Sequence, residues 1–471
     1  MNCSAPEPVA KVVVDSIHGD IHLTDRECRV IDTASFQRLR YIKQLGMAHF
    51  TYQNATHTRF AHSLGVLAIM KKVLAPERRR VRLTDDQEED LRLAALLHDV
   101  GHYPYSHLME KVDSVRLSEE FVEGAASTPR IVIASPYPSH VDIGRLIVTE
   151  QKDLIDALGS RERAERIANL FSRTQVADQQ LSKLISSSLD LDRFDYLLRD
   201  ARGTGTPYGQ VDLNYLLNSI RMSPSGLLGV SEKALPAAEH LLFARYFMHR
   251  TVYAHKTTMA FEEACRQLLR RIRDAGRYGL PKDGPAVESL VKSQELGDFT
   301  DAYVDHIVQR AINDEDPVIA GLASAIRRRQ PPKLLKEVLV LQGRDEEPPP
   351  GSVFKLNCRH RLRALAQSHG FHLGQFLLCE TKPLLLEDRP HRITASAARE
   401  LPPEEEDPLI KVFVGQNEEP VSIVDVPHSI IGKCADFVFQ AFRLYFVPTL
   451  GGNEPTPDEL RCAVADWHKS D

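Results

Sequence analysis

The chain has 471 residues, 42% hydrophobic and 26% charged, with a formal net charge of -6. It is long enough for a large core and more than one structural unit, and so mild an acidity argues against bulk nucleic-acid binding. No apolar stretch reaches membrane-spanning length, the N-terminus lacks the basic and apolar blocks of a signal peptide, and the seven scattered cysteines form no Cys-x-x-Cys, so a cytoplasmic protein with free thiols is expected.

In chain order, Val12 to Val14 and Ile21 to Leu23 read as two short strands around the turn Asp15-Ser-Ile-His18-Gly19. Thr24 is placed to cap the helix that follows. From Asp32 to about Asp274 the apolar residues recur at 3–4 spacing, the mark of a helical body. Its longest helix is expected to run unbroken from about Ala237 to Arg273, a stretch free of glycine and proline. Residues 125–140 hold Pro129, Pro136 and Pro138 and read as a loop. Past residue 280 the character changes. Acidic, proline-rich linkers at 345–351 and 402–408 surround strand-like segments at 371–380, 409–414 and 421–426. The expected fold class is mainly α, with the helical body over residues 1–280 and a small α+β lobe over 281–471.

Nineteen histidines is a high count, and six lie between His49 and His107. His98-Asp99 closes the apolar run that starts at Leu91, where a helix's last turn lets both side chains meet one ion. Alone such a dipeptide is usually fortuitous. With His62 upstream and Asp192 downstream it becomes a set of two imidazoles and two carboxylates, suited to Mn, Fe, Ni, Zn or Mg. Such an ion polarises a phosphoryl oxygen and acidifies water. His102, His107 and Glu110 follow at once, and His140 opens a later helical pattern; imidazoles and a carboxylate there suit proton transfer. Their blander reading is support for the metal ligands, the one favoured for His107. Arg245, His249, Tyr253 and Lys256 fall at i, i+4, i+8 and i+11 of the expected long helix, a cationic stripe fit for a polyphosphate. A solvated face is the alternative, but it would rarely interleave His and Tyr with cations and lack acidic partners. Asp192, Tyr196 and Asp200 share a face by the same spacing, as an ordinary amphipathic helix would also have it.

These motifs resemble the HD-domain phosphohydrolases, and within them the deoxynucleoside triphosphate triphosphohydrolases of the sterile-alpha-motif-and-HD-domain type, without the sterile-alpha-motif part. The resemblance covers roughly residues 11–275 and is weaker beyond 280. It implies a helical HD-domain body with short N-terminal strands and a small α+β C-terminal lobe. It also implies a divalent ion held by His62, His98, Asp99 and Asp192, with His102, His140 and Glu110 as the catalytic group. Gln44, Leu45 and Asp200 would touch the sugar, with Tyr196 and Tyr253 flanking it; Arg59, Arg193, Arg245, His249 and Lys256 would contact phosphates. Lys11, Val12, Asp32, Gln37 and Arg40 would form an activating-nucleotide site between subunits of a homo-oligomer, a dimer or a tetramer. Glu110 and Arg193 stand where the family has aspartate and lysine, and Ala254 where it has a base-contacting glutamine, so base preference stays open.

The expected activity is hydrolysis of a dNTP to deoxynucleoside and triphosphate, in nucleotide balance or defence against phage. The alternatives are another phosphohydrolase of the same superfamily, acting on monophosphates, cyclic nucleotides or oligonucleotides, and a nucleotide or nucleic-acid sensor, which the net charge does not favour.

Overall fold

A computed structural model describes residues 8–75, 83–112, 137–172, 191–225, 227–343, 350–386, 410–435, 437–448 and 457–469. Strands β1 (Lys11–Asp15) and β2 (Gly19–Leu23) form an antiparallel hairpin with Lys11 opposite Leu23. Its turn forms because Asp15 Oδ1 accepts from the backbone N–H of Ile17 and His18, and because Gly19 takes φ +73°. Thr24 caps α1 (Asp25–Ile31) in a reciprocal box with Glu27, as expected. Thr33 caps α2 (Ala34–Gln37).

The helical body continues with α3 (Arg59–Leu74), α4 (Asp85–Leu97), α5 (His107–Glu110), α6 (His140–Glu150), α7 (Lys152–Leu158), α8 (Arg161–Ser172), α9 (Leu191–Thr204) and α10 (Leu213–Ser219). Helix α3 is buried nearly all round, from Phe60 through Met70, which makes it the axis of the body. Strands β3 (Ile220–Met222) and β4 (Leu228–Ser231) then interrupt the helices of this mainly helical stretch.

The long helix expected over 237–273 is two helices. The first, α11 (Leu235–Met248), ends in a π-helical turn, His249–Tyr253, closed by Ala254 N–H donating to His249 O at 2.8 Å. His255 is then extended (φ -63°, ψ 129°), and α12 (Lys256–Asp274) starts afresh. Two anchors accompany the break. The Thr251 hydroxyl bonds back to Phe247 O, and Arg443 Nη1 donates to Ala254 O at 2.7 Å.

Helices α13 (Gly284–Lys292), α14 (Asp301–Ala311) and α15 (Pro317–Arg327) pack into the same apolar cluster as the body, through residues such as Val287, Ile307 and Leu322. A second cluster includes Leu335, Val338, Phe354, Phe376, Leu444 and Trp467. It is built on β5 (Lys333–Gly343), α16 (Pro350–Ser368), β6 (Phe376–Glu380), β10 (Phe437–Phe446) and α18 (Pro457–Ala463). The sheet order is β5-β10-β6, all antiparallel, with β7 (Leu384–Leu385) also paired to β10. Strands β8 (Lys411–Phe413) and β9 (Val421–Ser422) extend β3-β4, where β4 and β8 run parallel, and α17 (Ile431–Cys434) precedes β10. The architecture is mainly α with small sheets, as the periodicity implied. Among the described residues no helix is long and apolar enough to cross a membrane.

Candidate metal centre and active site

The four expected ligands come from three helices: His62 from α3, His98 and Asp99 from the C-terminus of α4, and Asp192 from the first turn of α9. His62 Nε2 lies 2.7 Å from Asp192 Oδ1 and 3.6 Å from Asp99 Oδ2. His98 Nε2 lies 3.4 Å from Asp99 Oδ1 and 3.8 Å from Asp192 Oδ1. Both Nε2 atoms are buried without a well-aligned hydrogen bond. The reason is on the other side of each ring. His62 Nδ1 is 2.7 Å from Asp195 Oδ2, and His98 Nδ1 is 2.8 Å from Ala95 O; those partners only accept, so Nδ1 carries the proton and Nε2 presents a lone pair. Two lone pairs and two carboxylates facing one point can hold a divalent ion, and His62, His98 and Asp99 are close enough to share one. The electrostatics agree. Burial alone would push the His62 imidazolium down, but Asp192 and Asp195 raise it; the carboxylates favour positive charge there, a charge that a divalent ion would supply in place of an Nε2 proton.

Asp99 also accepts from Arg59 Nη1 at 2.6 Å and lies 3.1 Å from His102 Nε2. Arg59 Nε donates to Ser106 Oγ at 2.9 Å. Arg59, expected on a phosphate, is thus buried and bound to a candidate metal carboxylate. Ser106 holds φ 57° and ψ -126°, a conformation strained for anything but glycine, in the turn between His102 and His107. Its hydroxyl, which receives Arg59, donates to Lys43 O at 2.8 Å.

His102 and His140 stack with ring centroids 4.1 Å apart. His107, read as structural, joins them, its ring 4.9 Å from His102 and 5.2 Å from His140. Glu110 organises the group: Oε1 accepts from the backbone N–H and Nδ1 of His140, both at 3.0 Å, and Oε2 lies 2.9 Å from His107 Nδ1. Burial opposes ionisation of Glu110, and the two imidazoles overcome it, holding the carboxyl well below its usual range. Burial, Arg59 and His140 push His102 well below the usual histidine range, so it stays neutral, with Nδ1 buried and unpartnered. Gly101 permits this packing, because a Cβ there would fall 2.0 Å from His140 O.

Sequence reasoning does not single out Asp195, although it lies between Asp192 and Tyr196. Asp195 is fully buried and joins His62 to His18 Nε2 (2.7 Å) and Arg199 (2.8 and 3.0 Å). Arg199 also reaches Asp15 at 3.0 Å, which ties the N-terminal hairpin to the centre. His57 was missed as well. Its Nε2 is 2.7 Å from Asp200 Oδ1, while Tyr253 OH donates to Asp200 Oδ2 at 2.8 Å. Their histidine and carboxylate partners lie 133 to 177 residues away, so no local pattern signals them.

The π turn keeps His249 and Tyr253 together, rings 5.3 Å apart, and sets Tyr253 6.3 Å from Tyr196. It also overturns the single stripe. Lys256 begins a new helix after an extended residue, so it does not continue the face of Arg245, His249 and Tyr253. Gln44 is buried with an unpartnered Oε1; Leu45 packs partly against the core; Arg193 is half-buried beside Asp192. Lys11, Val12, Asp32 and Arg40 are exposed, and Gln37 accepts from Arg40 Nε at 2.6 Å.

Fold and site define a class: a helical protein that gathers paired imidazoles and carboxylates around one point for a divalent cation. The chain belongs to the HD-domain family. Residues 59–200 match the family described as HD domain, and residues 211–282 the HD associated region. The uncharacterized protein YwfO of Bacillus subtilis is 35% identical over 334 residues, 68% of this chain and 70% of that protein. The deoxynucleoside triphosphate triphosphohydrolase SAMHD1 of Gallus gallus is 28% identical over 290 residues, 54% of this chain and 46% of that enzyme. Several of the curated relatives are matched over about half of their own length. A solved structure of a phosphohydrolase from Bacteroides thetaiotaomicron shares the fold, with a TM-score of 0.68 at 20% identity over 92% of this chain and 99% of that one.

Proposed function

We propose that the protein is a metal-dependent phosphohydrolase that cleaves a dNTP to deoxynucleoside and triphosphate. The observation that carries it is the setting of the His62–His98–Asp99–Asp192 centre, with two Nε2 atoms that make no well-aligned hydrogen bond, next to the His102–His140 cluster, in a chain that also sets Arg245 and His249 one turn apart. A divalent ion at the centre polarises a phosphoryl oxygen and lowers the pKa of water. The chain's own groups do the rest. His140, its Nδ1–H held by Glu110, presents Nε2 as a proton acceptor, and once protonated there it donates to the departing 5′ oxygen. His102 stays neutral against its face. Arg245, His249, Arg193 and Lys256 bind phosphate oxygens, and Arg59 does so through its second face while holding Asp99. Asp200, steadied by His57 and Tyr253, receives a sugar hydroxyl, with Gln44 and Leu45 alongside. Tyr196 and Tyr253, their rings 6.3 Å apart, flank the sugar and select against a 2′-hydroxyl.

The same reading includes a homo-oligomer with an activating nucleotide at Lys11, Val12, Asp32, Gln37 and Arg40; four of these are exposed and Gln37 is half-buried. The test is incubation with each dNTP, singly and mixed, with Mn or Mg, followed by product identification. Intact tripolyphosphate is expected. Orthophosphate or a nucleotide product, or no turnover in any mixture, refutes the reading.

A further inference from the structure

We propose that Lys382, from the C-terminal part of the chain, completes the active site as a positioning residue for the distal phosphate, with Lys111 as its partner; the proposal rests on the dNTP reading above. Lys382 lies between β6 and β7, in a turn clamped to β10 on both sides. Before it, Thr381 N–H donates to Ala441 O, Thr381 Oγ1 accepts from Ala441 N–H, and Gln440 Nε2 donates to Thr381 O, each at 2.9 Å. After it, Leu384 pairs with Phe439, and both join an apolar cluster with Tyr246. Tyr246 stands next to Arg245 and one turn before His249, so the turn carrying Lys382 is held against the end of α11.

Lys111 reaches the same place from the other side. It caps α5 directly after Glu110, the carboxylate that holds His107 and His140. Lys382 and Lys111 both lie within electrostatic reach of His249, and of each other. Among the described residues, neither Arg245 nor Lys382 has an ion pair with a carboxylate. Burial and Lys382 together depress the Lys111 ammonium. Glu262, which also acts on Lys111, is pushed up to about 7 by burial and so supplies only part of a counter-charge.

Arg245 and Lys382, two cations with no carboxylate ion pair among the described residues, set near a third in Lys111, are costly to bring together until a polyanion arrives, and such arrangements mark binding sites. Position along the helix says which end of the polyanion. Tyr253, which holds Asp200, marks the sugar, and Arg245 lies eight residues earlier, about two turns along the axis. Lys382 stands at the Arg245 end, so it meets the phosphate farthest from the sugar. No local pattern near Lys382 announced this, because β10 delivers it from the far end of the chain.

The test uses the full chain with Lys382→Gln and Lys382→Arg, with melting curves as a folding check on this exposed residue. Binding of inorganic tripolyphosphate, pyrophosphate and orthophosphate is measured by calorimetry in the presence of Mn, alongside KM and kcat for dNTP. For Lys382→Gln, tripolyphosphate affinity should fall about tenfold, the worth of one charge-assisted contact, while orthophosphate affinity holds. KM for dNTP should rise more than kcat falls, and Lys382→Arg should restore most of the loss. Equal weakening of all three anions, no weakening, or no tripolyphosphate binding by the unmodified protein overturns the proposal. If tripolyphosphate binding depends on Lys382 yet no dNTP is cleaved, the hydrolase reading fails alone.

Discussion

Asp195 Oδ2 accepts the Nδ1–H of His62 at 2.7 Å, and that bond decides which His62 nitrogen faces the candidate metal. The same carboxylate takes His18 Nε2 through Oδ1 at 2.7 Å and is straddled by Arg199. One buried side chain thus joins the N-terminal hairpin, α3 and α9. Asp195→Asn keeps the shape but leaves one oxygen to serve four N–H donors from three residues. Affinity for Mn should fall about 10–100-fold, read by competition with a chelator. Unchanged affinity would show that His62 is oriented by something else.

Gly65 faces this carboxylate. A Cβ at Gly65 would sit 1.8 Å from Asp195 Oδ1 and 2.5 Å from Arg199 Nη2. Gly65→Ala should therefore cost about 1–3 kcal/mol in a urea unfolding titration and reduce bound metal as well. A variant as stable as the parent would mean that α3 and α9 separate freely, contrary to their packing.

Glu110 reaches His107 through Oε2 and His140 through Oε1 together. Glu110→Gln should lower kcat by about 100-fold with metal content intact, since the carboxamide weakens the hold on the His140 tautomer. Glu110→Asp should fall between the two, having reach for one imidazole. A matching loss of metal in Glu110→Gln would instead make Glu110 part of the metal centre.

His249 makes the acid stability of the protein predictable in sign. Burial, Arg245, Lys382 and Lys111 push its imidazolium down to about 4, against about 6.5 in an unfolded chain. On acidification the unfolded chain takes up this proton first. The stability that neutral His249 contributes is present above about pH 6.5 and is lost as pH falls toward 4. Melting temperatures across that window should drop less steeply for His249→Gln than for the parent; parallel curves would refute the assignment.

What the sequence by itself determined is whatever neighbours in the chain determine. Thr24 with Glu27, and Asp15 with His18, set a cap and a turn through contacts three residues apart. His98-Asp99 at a helix end, and Asp192, Tyr196 and Asp200 at helical spacing, could be read from periodicity, which repeats within a few turns. Tertiary structure alone decided the partners. His18 meets Asp195 across 177 residues and His57 meets Asp200 across 143, and only packing of the intervening helices sets those distances. The unbroken helix expected over 237–273 failed for the same reason. Its local propensity is sound, yet Arg443, 189 residues beyond Ala254, takes that residue's carbonyl, and the chain breaks into a π turn and a second helix. Local patterns select which side chains can do chemistry, while long-range hydrogen bonds and packing fix which nitrogen, oxygen or ammonium faces the site.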